Sequence, residues 1–110
     1  MYFSYDWKLG TTPARKSLVI SVYNARCAWC GQPIHNRDFH GHHWLIKRGG
    51  KLHRDYDRIN VVVNVVPLHE NCHATYGQTT EMTSKCMQFV TVYFGSQIIS
   101  DWLKSLSKEK

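Results

Sequence analysis

Apolar and polar positions alternate along this chain in several distinct rhythms. INVVVNVVPL, residues 59–68, is dense in valine and reads as a strand stopped by Pro67. Farther on, Met82, Cys86, Phe89, Val90 and Tyr93 recur at helical spacing. So do Ile99, Trp102, Leu103 and Leu106, after a break at Gly95. Near the start, TTPARKSLVISVYNARC predicts a helix with Thr12 as cap and Pro13 at the first helical position. Its β-branched LVISVY keeps a strand open as the alternative. CAWCGQPIHNRDFHG reads as a tight cysteine-glycine turn leading to a short hairpin, HHWLIKR as a strand, and GGKLHRDYDR as a polar loop. HENCHATYG has the look of one or two helical turns with Gly77 as the stop. The aromatic-rich first ten residues read as an arm docked on the body. The resulting order is helix, knuckle, strand, loop, strand, short helix and two amphipathic helices, an α+β arrangement.

Length and composition sharpen this picture. At 110 residues the chain is expected to be a single domain spanning 1–110. Its 43% apolar content supports a modest core that an added staple would help. No apolar run approaches the roughly 20 residues that cross a bilayer. MYFSYDWKLG lacks the basic start and apolar centre of a signal peptide. A cytoplasmic setting is therefore expected, where grouped cysteines indicate metal rather than disulfides. The net charge of +6 favours a polyanionic partner, nucleic acid first, with solubility as the plainer explanation.

The cysteines carry the first chemical signal. Cys27-x-x-Cys30 is followed by glycine, which lets both sulfurs face one point and supplies half of a tetrahedral zinc site. His69-x-x-Cys72 has the same gap. On a helix those two positions share a face. A whole strand-loop-strand unit lies between the pairs, and closing so long a loop is where a metal clip stabilises a small domain most. Cys86 is a rival ligand, but it lies on the apolar stripe with Phe89, Val90 and Tyr93, where a free cysteine behaves as a small hydrophobe.

His73 follows Cys72 directly, and adjacent helical residues point about 100° apart. If Cys72 faces the zinc, His73 faces elsewhere, toward HHWLIKR. A second metal could be held by His73 and by either His42 or His43, leaving the other strand histidine as a base. His69 and His73, at i and i+4, could instead share one metal, although Cys72 would then lose its partner. His35, His40 and His53 read as solvated or phosphate-contacting, and Trp44 as core packing.

Taken together, CAWCG, HHWLIKRGG and INVVVNVVPLHENCHATYG resemble the HNH endonucleases of the ββα-metal group, particularly the zinc-stapled versions of phages and mobile elements. The likeness covers about residues 15–80, with residues 81–110 forming C-terminal helices outside it. It implies a small ββα-metal core with a structural zinc knuckle and flanking helices. It implies His42 as the strand's metal ligand, in place of the usual aspartate, and His43 as the general base. Asn64 matches the middle asparagine that orients the base, and His73 matches the helix ligand of the catalytic divalent ion. Asn60 has the same parity as Asn64 but reads as a cap on the loop end. Cys27, Cys30 and Cys72 match structural zinc ligands, while His69 stands where most relatives carry a second cysteine. With imidazole in place of carboxylate at position 42, the site should accept Mn2+, Ni2+ or Zn2+ as well as Mg2+.

The chemistry so implied is metal-assisted hydrolysis of DNA phosphodiester bonds, by nicking as a monomer or double-strand cutting as a homodimer. Lys47, Arg48, Lys51 and Arg54 in KRGGKLHR would contact flanking phosphates, though a solvated loop explains those charges equally well. Two rivals remain: a zinc-stapled nucleic-acid-binding module without cleavage, and a structural zinc domain for protein contacts.

Overall fold

The computed structural model describes residues 7–46, 59–77 and 79–108. Lys47, Arg48, Lys51 and Arg54, together with the GGKLHRDYDR loop and His53, lie outside the described residues. The elements are α1 (Trp7–Gly10), α2 (Lys16–Val22), β1 (Phe39–His43), β2 (Val65–His69), α3 (Glu70–Tyr76), α4 (Thr80–Phe94) and α5 (Ser96–Lys108). The two strands form one antiparallel hairpin, in register from Phe39 opposite His69 to His43 opposite Val65. Among the described residues, five helices with one small antiparallel sheet make the class α+β. No helix among the described residues is long and apolar enough to cross a membrane.

The N-terminal helix begins later than TTPARKS predicts. Pro13 pairs with Val61 in an isolated bridge, Ala14 N donates to Asn60 O, and Val62 N donates to Thr12 O. These bonds hold residues 12–14 in extended form, so the helix starts at Lys16 after an extended Arg15. Thr12 caps nothing downstream; its hydroxyl instead donates to Lys8 O.

The valine run departs from the strand reading for a related reason. Val62–Asn64 is a 3-10 turn, and only Val65–His69 is strand. Side chains from elsewhere take the turn's carbonyls: the Tyr23 hydroxyl donates to Val62 O at 2.7 Å, and the Trp44 indole donates to Val63 O at 2.9 Å. With those buried acceptors satisfied by aromatic donors, the backbone needs no ladder there. Pro67 lies inside β2 instead of ending it, opposite Gly41. A two-stranded sheet has only edge strands, so a residue lacking an N–H is tolerated on the outward side. Its carbonyl accepts from Ala28 N at 2.9 Å, which ties the cysteine knuckle to the hairpin.

Helix α4 follows its stripe closely, burying Met82, Cys86, Val90 and Phe94 at i, i+4 intervals. Thr79 caps it, its hydroxyl accepting from Met82 N at 3.2 Å. Cys86 is fully buried in that stripe, away from the other three cysteines. Helix α5 contributes Ile98, Ile99, Trp102 and Leu106 to the same core, which also takes in Trp44, Tyr23 and the valines. Each large apolar side chain so buried contributes roughly 1.5–3 kcal/mol, and this layer is the platform on which the hairpin rests.

Candidate functional site

Two clusters flank the hairpin. The first is the cysteine knuckle. After α2 the chain turns through Asn24 and Ala25, both at positive φ, into a bridge between Arg26 and Pro33. Inside it, Cys27 N donates to Gln32 O, Gly31 N donates to Cys27 O, and Gly31 takes φ +75°. Glycine adopts that left-handed conformation without a Cβ penalty. Cys27, Cys30, His69 and Cys72 meet there, with one donor atom from each within 4.8 Å of all the others. His69 Nδ1 lies 3.3 Å from the Cys30 sulfur and 3.9 Å from that of Cys72. A tetrahedral zinc with ordinary bond lengths needs sulfur-to-nitrogen edges of about 3.6 Å, which these two distances bracket.

The fourth ligand is held ready by its surroundings. His69 Nε2 lies 2.9 Å from the Pro33 carbonyl oxygen, which fixes the proton on Nε2 and leaves the Nδ1 lone pair facing the sulfurs. Asp38 lies on the same side, its carboxylate 3.8 Å from Nε2. Its other oxygen accepts from Glu70 N and so caps α3. Burial would depress His69, but the Pro33 carbonyl, the Cys27 sulfur and Asp38 hold it above the ordinary histidine value.

The thiols are unequally poised. Burial pushes Cys27 up, yet hydrogen bonds from the Cys30, His69 and Trp29 backbone and from the Cys30 side chain bring it below its usual value. Burial and the charge of Cys27 push Cys72 up to about 12. Three thiolates in one cage repel one another, so the cluster needs a cation for all of them to ionise together. The group can therefore hold a structural metal such as zinc. On its outer side Trp29 stacks on Tyr76 at 4.3 Å, with Lys85 Nζ 4.7 Å over the Trp29 ring, joining the knuckle to α3 and α4.

The second cluster is histidine. Alternation along β1 puts His40 and His42 on one face and His43 on the other. His42 is buried, 5% exposed, and its ring meets that of His73 from α3 edge to face at 5.2 Å. His73 is placed by the close end of α3. Gly77 keeps helical dihedrals instead of the left-handed stop, and a Cβ there would collide with the His73 carbonyl oxygen. His40, read from sequence as near a loop and solvated or phosphate-contacting, lies exposed on the strand, its ring nearly parallel to that of His73 at 5.2 Å.

The two asparagines divide differently from the sequence reading. His43 Nε2 contacts the Asn60 side-chain oxygen at 3.2 Å. Asn64 is fully buried and its amide is committed to backbone. Its oxygen accepts from Leu45 N and Ile46 N, and its nitrogen donates to Ile46 O and Ile59 O, all between 2.9 and 3.1 Å. Asn64 thus ties Leu45 and Ile46 to Ile59, while Asn60 is the residue against the His43 imidazole. An Asn64→Ala chain would strip partners from four backbone groups at that clasp. A loss of about 3 kcal/mol or more in urea unfolding is expected, at roughly 1–3 kcal/mol per buried group left unsatisfied.

The sequence pairs all four cage ligands and the His42–His73 approach. It placed neither His40 beside His73, because β1 starts three residues earlier than HHWLIKR predicts, nor Asn60 against His43, because a 3-10 turn interrupts the valine run. The one available signal was period two: His40 and His42 share a face once Phe39 is in the strand. Comparison with known proteins matches this chain to no family model, no curated protein and no solved structure.

Proposed function

We propose that the chain is a small metal-dependent HNH endonuclease that hydrolyses DNA phosphodiester bonds, with β1, β2 and α3 as its ββα-metal core. One observation carries the reading. Two imidazoles from different elements, His42 and His73, meet on one face of the hairpin, and a third, His43, stands on the opposite face of the same strand. A binding module has no use for that division.

His42 and His73 would hold the catalytic divalent ion, Mg2+, Mn2+, Ni2+ or Zn2+, which when bound neutralises the phosphate and stabilises the departing oxygen. His43 removes a proton from water. With Nε2–H donating to Asn60, the nitrogen that would take the proton is Nδ1. The activated water attacks phosphorus in line, leaving a 5′ phosphate and a 3′ hydroxyl. Asn64 holds Ile46 and Ile59, and Lys47, Arg48, Lys51 and Arg54 would contact the flanking phosphates. The knuckle, loaded with zinc, holds His69 and so the start of α3, which carries His73.

The test is conversion of supercoiled plasmid to open circles in Mg2+, Mn2+ or Ni2+, compared with a His73→Ala chain. Nicking that is lost in the variant supports the reading. A wild-type chain that binds DNA with a steep salt dependence but cuts in none of these metals is a zinc-stapled binding module instead.

A further inference from the structure

The geometry points to a three-imidazole cation site on the hairpin, with His40 as its third ligand and nitrogen-preferring divalent ions as its occupants. The inference rests on the proposed function only in taking His42 and His73 as ligands of one ion.

His40 and His42 lie two apart on β1 and so project from one face. His73 reaches that face from α3 and stands 5.2 Å, ring centre to ring centre, from each of them. The spacing is informative. At a metal-nitrogen distance of about 2.0–2.1 Å, two imidazole centres on a tetrahedral ion lie about 5 Å apart. Both pairs have that separation; His42 and His73 meet edge to face, whereas the His40 ring, stacked on His73, must turn to aim a nitrogen at a shared ion. The middle ring, His73, is thus at ligand spacing from a buried partner and from an exposed one.

Burial assigns the roles. His42, only 5% exposed, is fixed by packing, whereas His40 is exposed and can turn about its own side-chain bonds. Its ring, at 20° to His73, lies beside the pair and can swing a nitrogen inward without moving the strand.

Ligand chemistry then names the occupant. Three neutral imidazoles with an open fourth position suit Zn2+, Co2+ and Ni2+, whereas Mg2+ prefers oxygen and keeps its waters. A His42–His73 pair alone would discriminate weakly. His40 is the residue that makes the site selective for nitrogen-preferring ions, and a free ring there would otherwise be a phosphate contact.

The experiment titrates the full chain, its cysteine knuckle first loaded with zinc, with Ni2+ and Mg2+ by calorimetry. Co2+-loaded protein is then read by NMR for hyperfine-shifted imidazole N–H resonances. Wild type is expected to show three such resonances and His40→Ala two. Nickel affinity in the variant should fall by at least about 10- to 100-fold, the loss typical of removing even an outer partner of a metal site. Magnesium affinity should not change. Equal nickel affinity and two resonances in both proteins would overturn the role of His40 while leaving the His42–His73 pair and the nuclease reading intact. Nickel binding undiminished in both His40→Ala and a folded His42→Asn chain would overturn the site itself. Intact metal binding without plasmid nicking would defeat only the nuclease reading. His40 is exposed, so its variant tests ligation and not folding.

Discussion

Replacing His43 with alanine is expected to lower plasmid nicking by about 100-fold or more while leaving the melting temperature nearly unchanged. The range follows from the 10²–10⁴-fold typical of a positioned general base. The side chain is half-buried at the end of β1, so its truncation opens no core cavity. Asn60 supplies the companion test. Asn60→Ala removes the oxygen 3.2 Å from Nε2 and, with it, that contribution to the alignment of the imidazole. A smaller loss of nicking, about 10-fold, is expected, since alignment and not the base itself is removed. Asn60→Asp distinguishes alignment from mere packing. A carboxylate beside the ring favours the imidazolium, which raises the histidine pKa. The free base is then present only at higher pH, so the acidic limb of the pH–rate profile should move upward. A profile that stays put in Asn60→Asp, with Asn60→Ala as active as wild type, would remove Asn60 from the mechanism. Nicking undiminished in His43→Ala would remove the general base.

The elements most legible in the sequence are those whose signal is local. The α4 stripe of Met82, Cys86 and Val90 is periodic on its own, and the Cys27-x-x-Cys30 pair needs only its glycine to be recognised. Pairing it with His69-x-x-Cys72 took nothing beyond spacing. What escaped depends on bonds between residues far apart in the chain. The start of α2 is set by backbone bonds from Thr12 and Ala14 to residues 60–62. The 3-10 turn at Val62–Asn64 exists because Tyr23 and Trp44 reach its carbonyls. Neither is visible in propensity, since valine is as well suited to a strand as to this turn's buried walls.

The asparagines illustrate the same limit. Asn60 and Asn64 share a parity, and parity would place both on one strand face. The turn between them breaks that alternation, sending Asn64 into the protein to clasp Leu45, Ile46 and Ile59 and leaving Asn60 at the imidazole. The match to the family motif selects Asn64, yet side-chain chemistry at the ring belongs to Asn60. A motif position and a hydrogen-bonding position therefore need not coincide when a 3-10 turn lies between them.

Stripping the metal from the knuckle is expected to unfold or melt the N-terminal half of the chain, including the hairpin. Structural zinc in small domains carries apparent binding energies of about 10–16 kcal/mol, comparable to the entire stability of a domain of this size. Here the clip closes a span from Cys30 to His69 that contains all of β1 and β2. Its loss frees the Ala28 to Pro67 bond and the Asp38 cap on α3 together. A strong chelator should therefore lower the melting temperature by well over 10 °C, at about 4–8 °C per kcal/mol for a chain this long. Acid should do the same. The Cys72 thiol, pushed up to about 12 without metal, competes with the ion for a proton, and the competition tightens as pH falls. Cys72→Ser removes one thiolate and should release zinc at a pH where wild type retains it, with metal content read by elemental analysis. Cys86→Ser, by contrast, alters only the α4 stripe and should leave zinc content unchanged while costing modest stability. If zinc content and melting temperature were indifferent to Cys72→Ser yet fell with Cys86→Ser, the cage would be assigned to the wrong sulfur. A full complement of helix and strand in a metal-free chain at 37 °C would show that apolar burial alone holds the hairpin. His73 would then owe its position to Gly77 and the core, and the metal would be dispensable to the histidine site.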